Sequence, residues 1–571
     1  MQKNGSWRAP VSAAVALLLV AAIESRPAFG VDMLMRNVNG YTLDASGKLQ
    51  RFQALLVDGG KIVATGTDTE MAARAGGARA VDGGGQTLLP GLIDAHGHVM
   101  GLGFASTQID LTTSQSLGAA IAAVKTYSKQ HAQGQWIRGR GWNQAIWKLG
   151  RFPTAKELDA AAGDRPVWLE RVDGHAAWAN SAAMRAAGID KSTADPPGGR
   201  IERDGDGNPS GVFVDGAMDL VGNVVPAPSA DEGRAALDAA LAAMARVGMT
   251  GVGDAGIDAQ TFALYKAYAD AHKLTARIYA MIGGTDADFD ALAKEGPLIG
   301  YGGDFLSLRA VKLYVDGALG SRGAALLVPY ADDPNNRGLL FHTQDELTAM
   351  IAKALGKGYQ VCIHAIGDRG NREALDGFAA AYRQVDGSAA LRNRIEHAQV
   401  VALEDIPRYV TLDLIASMQP THATSDMNMA EARVGPERLK GAYAWRTFLD
   451  QGTLIAGGSD FPVESPNPFF GLHAAVTRQD HQNRPVGGWR PEQKLSLLEA
   501  FRAFTLDAAF AEHQEKTLGT LAPGKWADFI LIDRDIFAVR PEKIWSTRVL
   551  QTWVGGKQVY AARVHSVKSS Q

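Results

Sequence analysis

The chain has 571 residues, 46% hydrophobic and 21% charged, which is too long for one small domain and long enough for a large barrel plus a second module. A net charge of -3 with both signs mixed along the chain excludes the basic stripe that a nucleic-acid partner needs. A lone cysteine, Cys362, excludes an internal disulfide framework, so the fold rests on its core.

The N-terminus departs from the rest. Lys3 and Arg8 precede an apolar run over 11–23, and the small residues Ala28 and Gly30 follow. This reads as a secretory signal peptide, residues 1–30, cleaved after Gly30, and the expected location is periplasmic or secreted. An uncleaved anchor is the other reading, but the run is short for a membrane span. Residues 31–90 carry short β-rich runs with hairpin punctuation, such as Leu55-Leu56-Val57, Asp58-Gly59-Gly60 and Lys61-Ile62-Val63. From about 91 to 514, short apolar runs alternate with Ala-rich segments of helical period. Strands are expected at 251–253, 277–282, 310–315, 360–364, 394–397 and 453–456. Helices are expected at 232–247, 345–357 and 372–385. That alternation predicts parallel βαβ units, in a doubly wound sheet or a closed (β/α)₈ barrel. The rhythm breaks at about 130–230, rich in Trp, Gly, Pro and Asp, which reads as an insertion able to cover a site. Residues 515–571 return to β texture, with Asp528-Phe529-Ile530-Leu531-Ile532 and a hairpin around Gly555-Gly556. Two β-rich ends flanking a long middle predict one small β domain built from both termini.

Chemistry-bearing residues recur where apolar strands end. Leu92-Ile93-Asp94-Ala95-His96-Gly97-His98 ends in His-x-His, and side chains at i and i+2 share one face of a strand. Alone, the pair is either a metal site or two ordinary polar residues. His364 closes Gln360-Val361-Cys362-Ile363-His364, His397 closes Arg394-Ile395-Glu396-His397, and Asp460 follows Ile455-Ala456-Gly457-Gly458-Ser459. The C-terminal ends of strands are where α/β folds build active sites. Lys312 lies in the apolar run Ala310-Val311-Lys312-Leu313-Tyr314, where a buried cation is costly. It is neutralised, paired with Asp316, or carbamylated to an anion that bridges two metals. Cys362 reads as a small buried hydrophobe, or as a soft ligand beneath His364.

The ordered set His96-x-His98, Lys312, His364, His397 and Asp460 resembles the amidohydrolase superfamily. The words Leu89-Pro90-Gly91-Leu92-Ile93-Asp94-Ala95-His96-Gly97-His98, Asp173-Gly174-His175, VKLYVDGALGSR over 311–322, His364-Ala365-Ile366-Gly367-Asp368, Arg394-Ile395-Glu396-His397-Ala398-Gln399 and Gly458-Ser459-Asp460-Phe461-Pro462-Val463 sharpen the resemblance to amidohydrolase family 3 over nearly all of the mature chain. It implies a distorted (β/α)₈ barrel with a small β-sandwich from both chain ends. It implies zinc, as one or two divalent ions, held by His96 and His98 from the first strand, Lys312 as a carbamylated bridge, His364 and His397 from the fifth and sixth, and Asp460 from the eighth.

The expected activity is metal-dependent hydrolysis of a non-peptide C–N bond in a small-molecule amide, an N-formyl or N-acyl amine, with formamide deformylases as the most similar motif set. Asp460 is the expected proton shuttle, taking a proton as hydroxide attacks and returning it to the leaving amine. His175 is expected to orient the substrate carbonyl from the insertion, or to be a structural loop histidine. Asp316 and Arg322 are expected to order the bridge or recognise substrate, or to form a surface ion pair. Trp142, Trp147 and Trp178 wall an apolar pocket or form the insertion's own core. Two other readings stand beside this one: an exported dipeptidase or N-acyl-amino-acid hydrolase, with Arg322 on a substrate carboxylate, and a non-catalytic periplasmic metal- or ligand-binding protein. The sequence leaves substrate and oligomeric state open.

Overall fold

The computed structural model describes residues 31–131 and 136–563, so the expected signal segment lies outside the described residues. Eight strands build the central barrel: β1 (Leu92–Gly97), β2 (Met249–Ile257), β3 (Arg277–Gly283), β4 (Leu306–Tyr314), β5 (Gln360–Ala365), β6 (Arg394–His397), β7 (Ile415–Met418) and β8 (Ile455–Gly457). They pair in parallel, in chain order. β1, β5, β6, β7 and β8 are buried along their whole length, so none of them shows the alternation of buried and exposed positions that marks a half-buried strand.

β8 meets β1 through the segment that follows it. Asp460 N donates to His96 O at 2.8 Å, and His98 N donates to Phe461 O at 2.7 Å. Gly458 permits this approach, because a Cβ there would lie 2.7 Å from Asp94 Oδ1 and 2.8 Å from His96 N. Gly97 serves the same seam: its missing side chain is replaced by the ring of Phe461.

Helix starts follow their caps. Ser229, Thr343 and Ser496 form capping boxes with Glu232, Glu346 and Glu499, and open helices Ala230–Arg246, Gln344–Gly356 and Leu497–Ala503. The first two begin slightly before the apolar period does, since the capping turn is polar. The third expected helix begins at Asp368 and spans Asp368–Tyr382.

Both chain ends join in a β-sandwich. One sheet has four strands, Lys61–Gly66, Ala54–Asp58, Met33–Arg36 and Arg79–Asp82 in spatial order. The other has six, with Lys557–Ala561, Val549–Val554 and Phe529–Ile532 from the C-terminal end beside Thr87–Pro90, Asn39–Leu43 and Leu49–Phe52 from the N-terminal end. Met35, Leu55, Leu88, Phe529 and Leu531 pack into its core. The hairpin glycines have the positive φ that tight turns demand: 54° and 78° at Gly59 and Gly60, 54° and 71° at Gly555 and Gly556. A buried bidentate pair, Arg277 at the head of β3 with Asp528 (Nε–Oδ2 2.6 Å, Nη2–Oδ1 3.0 Å), ties the sandwich to the barrel base.

Between β1 and β2 lies a separate six-stranded sheet, running in space from Gly199–Arg203 through Pro209–Asp215, Ala176–Ala179, Val167–Arg171 and Ile137–Trp142 to Ile109–Asp110. Trp142, Trp147 and Trp178 lie in its core, and their indole N–H groups donate to the carbonyls of Leu169, Ser114 and Thr154. They pack the insertion and do not wall a pocket. Among the described residues, no helix is long and apolar enough to cross a membrane.

The barrel base holds an unusual acid. Glu512 is buried, neither carboxyl oxygen has a hydrogen-bond partner, and burial pushes its pKa up to about 8. The unfolded chain releases this proton near the ordinary value of 4.5, whereas the folded chain keeps it to about 8. Between those values the unfolded state binds fewer protons, so this group makes stability fall as pH rises, by up to about 1.4 kcal/mol per pH unit. Glu512→Gln is therefore expected to unfold at a higher temperature than wild type near pH 8, and the advantage is expected to shrink towards pH 5. A wild-type-minus-variant difference that stays flat over that range contradicts the assignment.

Candidate active site

Side chains from the C-terminal ends of five barrel strands meet in one buried cluster. His96, His397 and Asp460 each offer a ligand atom, and these atoms lie within 4.8 Å of one another. His98 joins them, with Nε2 3.1 Å from Asp460 Oδ1. The His364 ring packs edge-on to His397 with centroids 4.6 Å apart, and Lys312 Nζ lies 3.2 Å from His96 Nε2. All six residues read from the sequence as a set are thus brought to one place.

Three of the four imidazoles are oriented through one nitrogen. His96 Nδ1 meets Glu396 Oε2 at 2.5 Å, His98 Nδ1 meets Ala255 O at 2.9 Å, and His397 Nδ1 meets Gln419 Oε1 at 2.8 Å. This leaves their Nε2 atoms for the cluster, the arrangement typical of metal-ligating histidines. Burial drives the pKa values of His364 and His397 well below the ordinary range, and neighbouring cationic or imidazole groups push the same way. Both are neutral, as ligands must be. His364 Nε2 is buried without any hydrogen-bond partner. A buried, unpartnered, neutral imidazole nitrogen beside a carboxylate and three more histidines fits a divalent cation, because burying such a polar atom with nothing to bind is costly.

Burial alone would raise the pKa of Asp460, but contacts to His422, His96 and His98 hold it well below the usual carboxylate range. Its backbone φ is +57°, and that of His397 is +73°. Non-glycine residues in this left-handed region cost on the order of 1–3 kcal/mol each and cluster at functional sites. The turn at His397 also explains how Glu396 and His397, adjacent in sequence, both serve the cluster: regular β alternation would send them to opposite faces.

Two expectations about the loop after β4 change. Lys312 does not pair with Asp316. Its Nζ lies against His96 Nε2 and 4.6 Å from the centre of the Tyr314 ring. Asp316 instead accepts from the backbone N–H groups of Ala325, Ile366 and Gly367 at 2.8–2.9 Å, clamping the β4 and β5 loops together, with Oδ1 3.7 Å from His364 Nε2. A fixed carboxylate satisfies three backbone donors at once, and no mobile lysine can replace them. Arg322 is not in the cluster either. It is paired with Asp332 at 3.0 Å and lines a separate cleft. Cys362 is buried among Ala255, Tyr279, Met281 and Ala310, and burial pushes its thiol up to about 12, which makes it a packing residue and not a soft ligand.

The insertion contributes His175, from the turn joining strands Val167–Arg171 and Ala176–Ala179. Its Nδ1 meets Asp215 Oδ1 at 2.7 Å, and its ring centre lies 4.8 Å from that of His364. Asp215 thus fixes one nitrogen and leaves Nε2 as the free one.

Sequence reasoning missed several participants. Glu396 is gripped by the buried Arg394 (Nε–Oε1 2.7 Å), which also donates to Ala95 O at 2.8 Å. Both lie on a strand already recognised, at i and i+2, and alternation alone could have found them. Asp94, two residues before His96, accepts from Ser459 Oγ at 2.6 Å and from Ser459 N, holding the β8 segment to β1. His422 follows β7, where Pro420-Thr421-His422 ends an apolar run as the other strands do. Its Nε2 is 3.3 Å from Asp460 Oδ2, and its Nδ1 is 3.6 Å from Glu464 Oε1.

Comparisons with known proteins place the whole chain. The family model described as "Amidohydrolase family" matches residues 79–560. The chain is 34% identical to Protein LONG AFTER FAR-RED 3 of Arabidopsis thaliana, over 93% of this chain and 91% of that protein. It is 29% identical to N-substituted formamide deformylase of Arthrobacter pascens, over 92% and 97%. A solved structure of an uncharacterized metal-dependent hydrolase from Pyrococcus horikoshii OT3 superposes with TM-score 0.71 at 26% identity, covering 89% of this chain and 99% of that one. A nearly closed eight-stranded parallel barrel, a His/Asp cluster at its C-terminal mouth and a family match across the barrel lead to one conclusion: the chain belongs to the amidohydrolase family.

Proposed function

We propose that this protein is an exported metal-dependent hydrolase that cleaves the non-peptide C–N bond of a small-molecule amide, an N-formyl or N-acyl amine. The observation that carries the reading is the buried His364 Nε2, without a partner, in a cluster with His96, His98, His397, Asp460 and Lys312. That donor set suits zinc. Lys312, buried and unpaired with Asp316, suits conversion to a carbamate that would bridge a second ion. A divalent ion, when bound, supplies Lewis acidity: it makes water a nucleophile near neutral pH and polarises the scissile carbonyl.

The chain's own residues divide the remaining work. Asp460, held ionised by its histidines, accepts a proton from the attacking water on a carboxylate oxygen and delivers it to the departing nitrogen. His175 Nε2, with its ring fixed through Asp215, donates to the substrate carbonyl oxygen. Glu396 and Gln419 hold His96 and His397 in the tautomers that leave Nε2 free. Support from outside the chain is the relative named N-substituted formamide deformylase. The dipeptidase or N-acyl-amino-acid reading is served less well, because Arg322 is turned to Asp332 in a different cleft. A non-catalytic binder would need no proton shuttle, the role proposed for Asp460 beyond that of ligand. Export rests on Lys3, Arg8 and the apolar run over 11–23, and N-terminal sequencing of secreted protein is expected to begin at Val31.

The test is metal analysis of the purified mature protein, followed by a hydrolysis screen of N-formyl amines, N-acetyl amines and dipeptides. One or two equivalents of zinc and turnover of a formyl or acyl amine are expected, with both lost in His364→Ala. Absence of stoichiometric metal together with no hydrolysis across the panel overturns the reading, and preferential dipeptide turnover redirects it.

A further inference from the structure

A cleft of about 970 Å³ opens between the inserted sheet and the loop after β4. Seven of its lining side chains are cationic and three are carboxylates, and none of the six clustered residues above lines it. Much of this charge is paired locally: Arg151 with Glu157, Arg200 with Glu202, and Arg203 with Asp195. The remainder is paired incompletely. Arg322 and Arg433 share the single carboxylate of Asp332. Arg433 is only 8% exposed, and its Nε is buried without a hydrogen-bond partner. Arg337, on the same wall, donates only to the carbonyl of Leu327.

Two guanidinium groups on one carboxylate leave a positive charge uncompensated, and holding it in a largely buried place is costly unless an anion completes it. Burial and the neighbouring Arg322 both push the pKa of Arg433 down, which reports the same strain. Guanidinium forks match the oxygens of carboxylates, phosphates and sulfates better than any other side chain does.

We propose that this cleft is a binding site for a small oxyanion, a sulfate, phosphate or carboxylate group seated on Arg322, Arg433 and Arg337. It lies behind one wall of the candidate active site. The β4 loop packs on Asp215 so closely that a Cβ at Gly317 or Gly323 would lie 2.3 or 2.2 Å from Asp215 Oδ2, and Asp215 is the residue that orients His175. An anion drawn to Arg322 therefore bears on the loop that backs the His175–Asp215 pair. The inference does not rest on the metal chemistry, and binding can fail while hydrolysis stands.

The experiment is calorimetric titration of the mature, metal-loaded protein with sodium sulfate, a weak metal ligand, and separately with succinate, at constant ionic strength. Saturable binding of either anion at one site is expected, weakened at least about tenfold in Arg322→Gln, the loss of roughly one charge-assisted contact. Arg337→Gln, which leaves Asp332 with both of its partners, is expected to weaken binding in the same direction and serves if the first variant does not fold. Lack of saturable binding of both anions overturns the proposal. So does binding that is unchanged in the folded variant, which would place the anion elsewhere, at the histidine cluster included.

Discussion

Asp460→Asn is expected to lower kcat/KM at least about 10³-fold, because general acid–base catalysis contributes about 10²–10⁴-fold and this carboxylate serves both proton transfers. Asparagine has nearly the same shape, so the turn at φ +57° and the hydrogen bond from Asp460 N to His96 O are kept. What disappears is the ionised oxygen that His96, His98 and His422 surround. The residue stands among the candidate ligands as well, so metal content must be measured beside turnover. Activity collapsing further than metal content accounts for is the expected result. Full turnover in the variant would remove Asp460 from the mechanism.

Glu396→Gln is expected to reduce metal affinity about 10–100-fold and to destabilise the fold by about 3–5 kcal/mol. The residue lies two contacts deep: Oε2 holds His96 Nδ1, and Oε1 holds Arg394 Nε, with all three side chains sealed from solvent. Burial opposes its charge, but Arg394 and His96 together keep its pKa well below the carboxylate range. The amide that replaces it removes the charge and leaves Arg394 buried and unpaired, where its Nη1 already lacks a partner. Competition with a chelator of known affinity measures the first effect, and urea unfolding of the chelated protein measures the second. A variant with wild-type metal affinity and stability would show that Glu396 neither orients His96 nor neutralises Arg394.

Much of the site was legible because barrel architecture converts a local pattern into a shared location. A strand that ends in a polar residue places it at the C-terminal mouth, so His96, His98, His364, His397 and Asp460 each revealed themselves beside their own apolar run. Where a contact depended on a different strand, no local pattern reported it. Asp94 holds Ser459 across 365 positions, and Glu396 holds His96 across 300. Asp316 looked like the counter-ion of Lys312 because they are four residues apart. In the folded chain β4 ends at Tyr314, and the loop beyond it carries Asp316 to backbone donors more than forty residues away on the β5 loop. Arg322 looked like a substrate residue because it closes the same motif, yet that loop carries its side chain into another cleft.

By itself, then, the sequence determined the βαβ rhythm, the sandwich from both ends and the identity of the clustered donors, because periodicity and strand ends are local properties of the chain. Only the tertiary structure decided which nitrogen of each histidine faces the cluster, that Lys312 stands apart from Asp316, that the tryptophans fill the insertion, and that Arg322 and Arg433 share one carboxylate. Those outcomes are set by pairings between strands and loops distant in sequence, and by the left-handed turns at His397 and Asp460, neither of which leaves a period in the amino-acid order.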